Sequence, residues 1–111
     1  MRQAPVFAYK QALLALERAG DALGVATTLC GLARAQVAAA DGDKSDLQRV
    51  AKTYERAIQI FEKELGKDHA TVINTLFAMS SVLDDAGEST KAGKARGAAN
   101  QRRARSAKDV M

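Results

Sequence analysis

Along the chain, apolar residues recur at steps of three and four in five separate runs, most of them closed by a glycine or a short polar break. That period belongs to α-helices. The first run places Val6, Tyr9, Leu13 and Leu16 on one face, accepts Pro5 as its first helical residue, and stops near Gly20. The second starts after Asp21, a good N-cap, carries Val25, Leu29, Leu32 and Ala33, and is broken by "DGDK". The third opens with the capping-box pattern Ser45-Asp-Leu-Gln48 and sets Leu47, Val50, Tyr54, Ala57, Ile58, Phe61 and Leu65 ahead of Gly66. The fourth begins at Asp68, carries Val72, Leu76, Met79, Ser80 and Leu83, and ends at Gly87. The fifth, from about Ser89, has only alanines at the expected spacing: Ala92, Ala95 and Ala99. It also contains Gly93 and Gly97, each about 1 kcal/mol worse than alanine inside a helix.

No alternating β-branched run is long enough for a sheet, so the fold class is all-α. Short connections between the runs make neighbouring helices antiparallel. The chain also repeats itself. Shifted by 45 residues, "FAYKQALLALER" lies over "KTYERAIQIFEK", with Tyr9 on Tyr54, Ala12 on Ala57 and Glu17 on Glu62. Shifted by 47, "DALGVATTLCGL" lies over "DHATVINTLFAM", with Asp21 on Asp68, Val25 on Val72 and Leu29 on Leu76. Two blocks repeating at nearly one period mark an array of helical hairpins.

The stretch "YERAIQIFEKELGKDHATVINTLFAMSSVLDDAGESTKA" resembles a tetratricopeptide repeat (TPR) of the longer subtype found in kinesin light chains. The resemblance implies a right-handed stack of antiparallel helical hairpins, a TPR-like α-solenoid of about two and a half repeats. On it, residues 1–20 are the second helix of a partial repeat and residues 21–66 a full repeat. Residues 67–107 are a repeat with a degenerate capping helix, and 108–111 a tail. The sequence departs from the pattern in places. Ala70 replaces a usual proline, Met79-Ser80 replaces Leu-Ala, and Gln36 and Leu83 stand where an aromatic is common. Arg96 takes the place of Tyr9 and Tyr54, so the last helix should end the array instead of packing another repeat.

The family resemblance further implies a protein–protein interaction scaffold, the C-terminal part of a longer array, holding a partner peptide or helix in a concave groove. The groove-facing set is Thr27, Cys30, Arg34 and Val37 on the second helix, with Asn74, Phe77, Ser81 and Asp84 on the fourth. Phe77 lies off the apolar stripe of its helix; it is either an exposed hot spot or a filler against helix two. Chaperone-binding relatives clamp a C-terminal carboxylate. Here Cys30 sits at the clamp lysine and Ala78 at an asparagine, so that ligand is not expected.

Composition sharpens this picture. Apolar residues make up 47% of the chain and charged ones 27%, which favours folding, and abundant alanine with no tryptophan favours closely approaching helices. Net charge is +4, but residues 1–90 carry ten Lys/Arg against twelve Asp/Glu, and residues 91–111 seven against one. Two alternatives to groove binding follow. One is an adaptor whose basic C-terminal segment meets acidic partners or, nonspecifically, nucleic acid; it lacks an aromatic for base stacking, and nucleic acid is not the favoured partner. The other is a homo-oligomer formed through helix one, where leaving Val6, Leu13 and Leu16 in water forfeits roughly 1.5–3 kcal/mol each.

Catalytic residues, cofactors and metals are not expected. His69 is the sole histidine and belongs to a helix start where Asp68 caps; Cys30 is a lone thiol in an apolar run; Asp84-Asp85 diverge around their helix. Neither a signal peptide nor a segment of bilayer-spanning apolar length is read, leaving the cytoplasm as the default location.

Overall fold

The computed structural model describes residues 3–110, with side chains from 4 to 108. Among the described residues the chain is all-α, with α1 (Gln3–Ala19), α2 (Ala22–Ala40), α3 (Lys44–Leu65), α4 (Ala70–Asp85) and α5 (Ser89–Val110) and no strand. Each helix packs along its successor, α1 on α2, α2 on α3, α3 on α4 and α4 on α5, in a slab of 47 × 36 × 15 Å. Two contacts give the sense of the last pair. Arg103 stacks over Phe77 and Arg96 binds Asp84, so seven residues forward on α4 are seven back on α5. The helices run antiparallel.

Glycines close the helices where the sequence places them. Gly66 and Gly87 have φ of 95° and 82°, values that cost a residue with a Cβ about 1 kcal/mol or more. The starts are a different matter, and two caps need correction. Helix α3 begins at Lys44, not at a Ser45 capping box, because the Asp43 carboxylate already accepts the Asp46 N–H at 2.9 Å. Helix α4 is capped by His69, whose Nδ1 accepts the Thr71 N–H at 3.1 Å, and not by Asp68, which is drawn off to Arg105. Helix α5 also runs on to Val110, so residues 108–110 of the expected tail are helical, while Met111 lies outside the described residues.

The core is a seam through all five helices. Val6, Val25, Leu29, Leu32, Ile58, Phe61, Val72, Leu76 and Ala99 belong to one cluster; Leu47, Val50, Tyr54, Val82, Leu83, Ala92 and Ala95 belong to the next. Ala92 and Ala99 are fully buried, so α5 lies close against its neighbours and removes little apolar area doing so. At the other end, Gly31 serves the same closeness. A Cβ there would stand 2.4 Å from the Tyr9 ring, so the bare backbone of α2 is where the tyrosine rests. Gln36, at a position where an aromatic was expected, instead accepts a 2.9 Å hydrogen bond from Thr53 and ties α2 to α3.

One expectation about apolar length is overturned. Ala22–Ala40 holds a single charge, Arg34, and reaches a mean hydropathy of 1.3, which is long and apolar enough to cross a bilayer by length and composition. The cause is position in the fold. Helix α2 lies between α1 and α3 and contributes Val25, Ala26, Leu29, Leu32 and Ala33 to the core, so much of its circumference is apolar.

Candidate interaction surfaces

The residues expected to face a groove fall into equivalent positions on α2 and α4, since an offset of 47 carries Thr27, Cys30, Arg34 and Val37 onto Asn74, Phe77, Ser81 and Asp84. Thr27, Arg34, Val37, Asn74, Ser81 and Asp84 are exposed. Cys30 and Phe77 are half-buried. Val25 and Leu29 of α2 share a buried cluster with Val72 and Leu76 of α4, with Cys30 packed against it, although the two helices are not neighbours in the chain. Burial raises the Cys30 thiol pKa, partly offset by the Thr75 hydrogen bond and by the positive charge of Arg34. Phe77, its counterpart, has no further helix beyond it; the Arg103 guanidinium covers the ring at 5.3 Å from its centre, a cation–π contact. Of the two readings of Phe77, neither open exposure nor packing on helix two describes it fully.

The residues expected to drive self-association face the other way. Val6 is 7% exposed, and Leu13 and Leu16 pack against the core. Leu13 and Leu16 share the inward face because they continue the three-to-four-residue stripe from Val6 and Tyr9, and α2 covers that stripe. What α1 leaves outside is Phe7, 65% exposed, and Leu14, 49% exposed, one heptad apart on the opposite face.

The basic segment is bound to the rest of the molecule. Arg102 donates to Glu62 at 2.6 Å in the most enclosed ion pair among the described residues, with side chains 18% and 23% exposed. Arg105 grips both oxygens of Asp68 at 3.0 and 3.2 Å, Arg96 pairs with Asp84, and Arg103 covers Phe77. The Arg105 hydrogen bond pulls the Asp68 carboxyl below its ordinary pKa. The helix over this stretch is therefore held to the rest of the molecule by four arginines. At the 45-residue step Tyr54 falls on Ala99, which is fully buried, and not on Arg96, which is exposed, so the expected exchange of tyrosine for Arg96 is one of tyrosine for alanine. One pair recurs. Glu17 binds Arg56 at 2.8 Å between α1 and α3; Glu62, at the 45-residue offset from Glu17, binds Arg102 between α3 and α5.

A feature with no forerunner in the sequence reading is a groove of about 670 Å³ between α3 and α5, floored by Met79 and Leu83 of α4. Its rims carry Arg49 and Lys52 on one side and Lys91 and Lys94 on the other. The signal was present as alanines in place of larger residues: the 45-residue offset puts Ala92 and Ala95 where α3 has Leu47 and Val50.

Among the described residues, no group of three or more His, Cys, Asp or Glu is placed to hold a metal ion. His69 is committed to the Thr71 N–H and Asp68 to Arg105. No protein-family model, no curated protein and no solved structure matches the chain.

Proposed function

We propose that the chain is an array of helical hairpins of the tetratricopeptide type, in a right-handed solenoid of about two and a half repeats. It acts as a protein-interaction scaffold, with binding and not catalysis as its role. In this reading α2 and α4 are the first helices of successive hairpins, and a partner peptide or helix lies across Thr27, Arg34, Asn74 and Ser81. The observation that carries it is the equivalence of those exposed positions at one offset on two helices whose Val25, Leu29, Val72 and Leu76 share one buried cluster. The recurrence of the Glu17–Arg56 pair as Glu62–Arg102 supports a constant step from one hairpin to the next. Such a module is proposed for the cytoplasm.

The test is retention of a co-purifying partner by the immobilised chain. Arg34→Glu and Phe77→Ala are expected to lose it, with Lys63→Glu on α3 keeping it and circular dichroism unchanged in all three. A partner retained by both of the first two variants overturns the groove.

Phe7 and Leu14 favour a second reading, homo-oligomerisation through the outer face of α1. It expects light scattering to report a mass above the monomer for the intact chain and the monomer for Leu14→Glu. The adaptor reading of the basic segment has less support, because all four arginines of α5 already have partners within the fold.

A further inference from the structure

We infer that the groove between α3 and α5 seats an acidic amphipathic helix, at a site separate from the α2–α4 surface and on the opposite side of α4. Met79 and Leu83, which floor the groove, lie on the other face of α4 from Asn74 and Ser81. The site therefore stands or falls independently of the function proposed above.

The groove is specific to this place in the fold. Its equivalent between α1 and α3, where Lys10, Asp46 and Arg49 line the walls, encloses about 170 Å³ against 670 Å³ here. Volume and charge change together over the 45-residue offset. Val50, buried on α3, becomes Ala95 on α5, which lines the groove with its smaller side chain. Asp46 becomes Lys91 and Arg49 becomes Lys94, which puts two lysines on the α5 wall, while Lys10 becomes Glu55 on the facing one.

The chemistry of the occupant follows from the distribution of charge. The lining holds four cations and two carboxylates, Glu55 and Glu88. Glu88 is taken up by Lys91 at 2.9 Å, and Arg49 holds Asp46 loosely at 3.4 Å. No described carboxylate pairs with Lys52 of α3 or Lys94 of α5, which both line the groove. An occupant thus needs an apolar stripe for Met79, Leu83, Ala51 and Ala95, with acids on both of its flanks. A helix with apolar residues at three- and four-residue steps has that form. An extended strand sends its acids away from the floor, and a fatty acid carries its one charge at an end. The α3 wall, from Ser45 to Glu55, is about 15 Å long, room for close to three turns.

The probe is a fluorescein-labelled synthetic helix of about fourteen residues with a leucine stripe flanked on both sides by glutamates, titrated by anisotropy against the full chain. Binding is expected to weaken about tenfold or more in the Lys52→Glu/Lys94→Glu double variant and to fall with added salt. Both lysines are exposed, so the fold is retained, and circular dichroism checks it. Arg34→Glu is expected to leave the probe's affinity unchanged. Equal binding of a scrambled peptide of the same composition overturns the inference, as does equal affinity in the double variant. So does displacement of the probe by dodecanoate at matched concentration, which assigns the groove to a lipid.

Discussion

Asp68 joins the turn before α4 to the far end of α5 through both carboxylate oxygens. Its pKa is lowered in the folded chain, chiefly by the Arg105 hydrogen bond. The folded form therefore binds this proton less readily than the unfolded one, and the pair's contribution is complete above the ordinary carboxylate range. It is lost as pH falls through that range to the lowered value. The melting temperature of the wild type should accordingly drop more between about pH 5 and pH 2 than that of Asp68→Asn. Equal drops would assign the acid sensitivity elsewhere. Asp68 is half-buried and Arg105 exposed, so the size of the difference depends on screening by salt. None of this was legible in the local pattern. A carboxylate before a helix is read as its cap, and only the approach of α5, thirty-seven residues on, diverts it and leaves the cap to His69.

Between elements, the α1–α2 contact rests on an absent side chain. Glycine inside a helix costs about 1 kcal/mol relative to alanine, yet at Gly31 a methyl group would meet the Tyr9 ring. Gly31→Ala should therefore destabilise by about 1 kcal/mol, displacement of Tyr9 outweighing the gain in helix propensity. In a Tyr9→Ala background the same change should stabilise by about as much. Denaturant unfolding of the four chains in that cycle measures both, and the same sign in both backgrounds would remove Tyr9 from the explanation. Faces of helices were readable where the stripe was strong: Val25, Leu29, Leu32, Tyr54, Ile58 and Phe61 are all buried as their spacing indicated. The outer face of α1 was not, because Phe7 and Leu14 interrupt a surface that carries no repeated polar signal.

For the whole molecule, packing passes from each helix to the next in the chain, so α3 is enclosed by α2 and α4 while α1 and α5 have one packed neighbour each. Local opening should follow that order. Amide exchange is expected to be slowest in the middle of α3 and faster by more than tenfold in α1 and in the last two turns of α5. Uniform protection across the five helices would instead mark a single cooperative unit. Helix α5 is the instructive case at this scale. Its alanines let it approach, but they bury little area, and the arginines that hold it find their acids on α3, on α4 and in the turn between them. Five helices, their inward stripes and the near-45-residue recurrence were set by the sequence alone, because helical periodicity and glycine stops act over a few residues. Which acid each arginine meets, the diversion of Asp68 from the start of α4, and the opening of the α3–α5 groove were decided by the tertiary structure. Those depend on how far one helix slides along another, and that offset comes from the summed packing of buried side chains, which no local stretch of sequence contains.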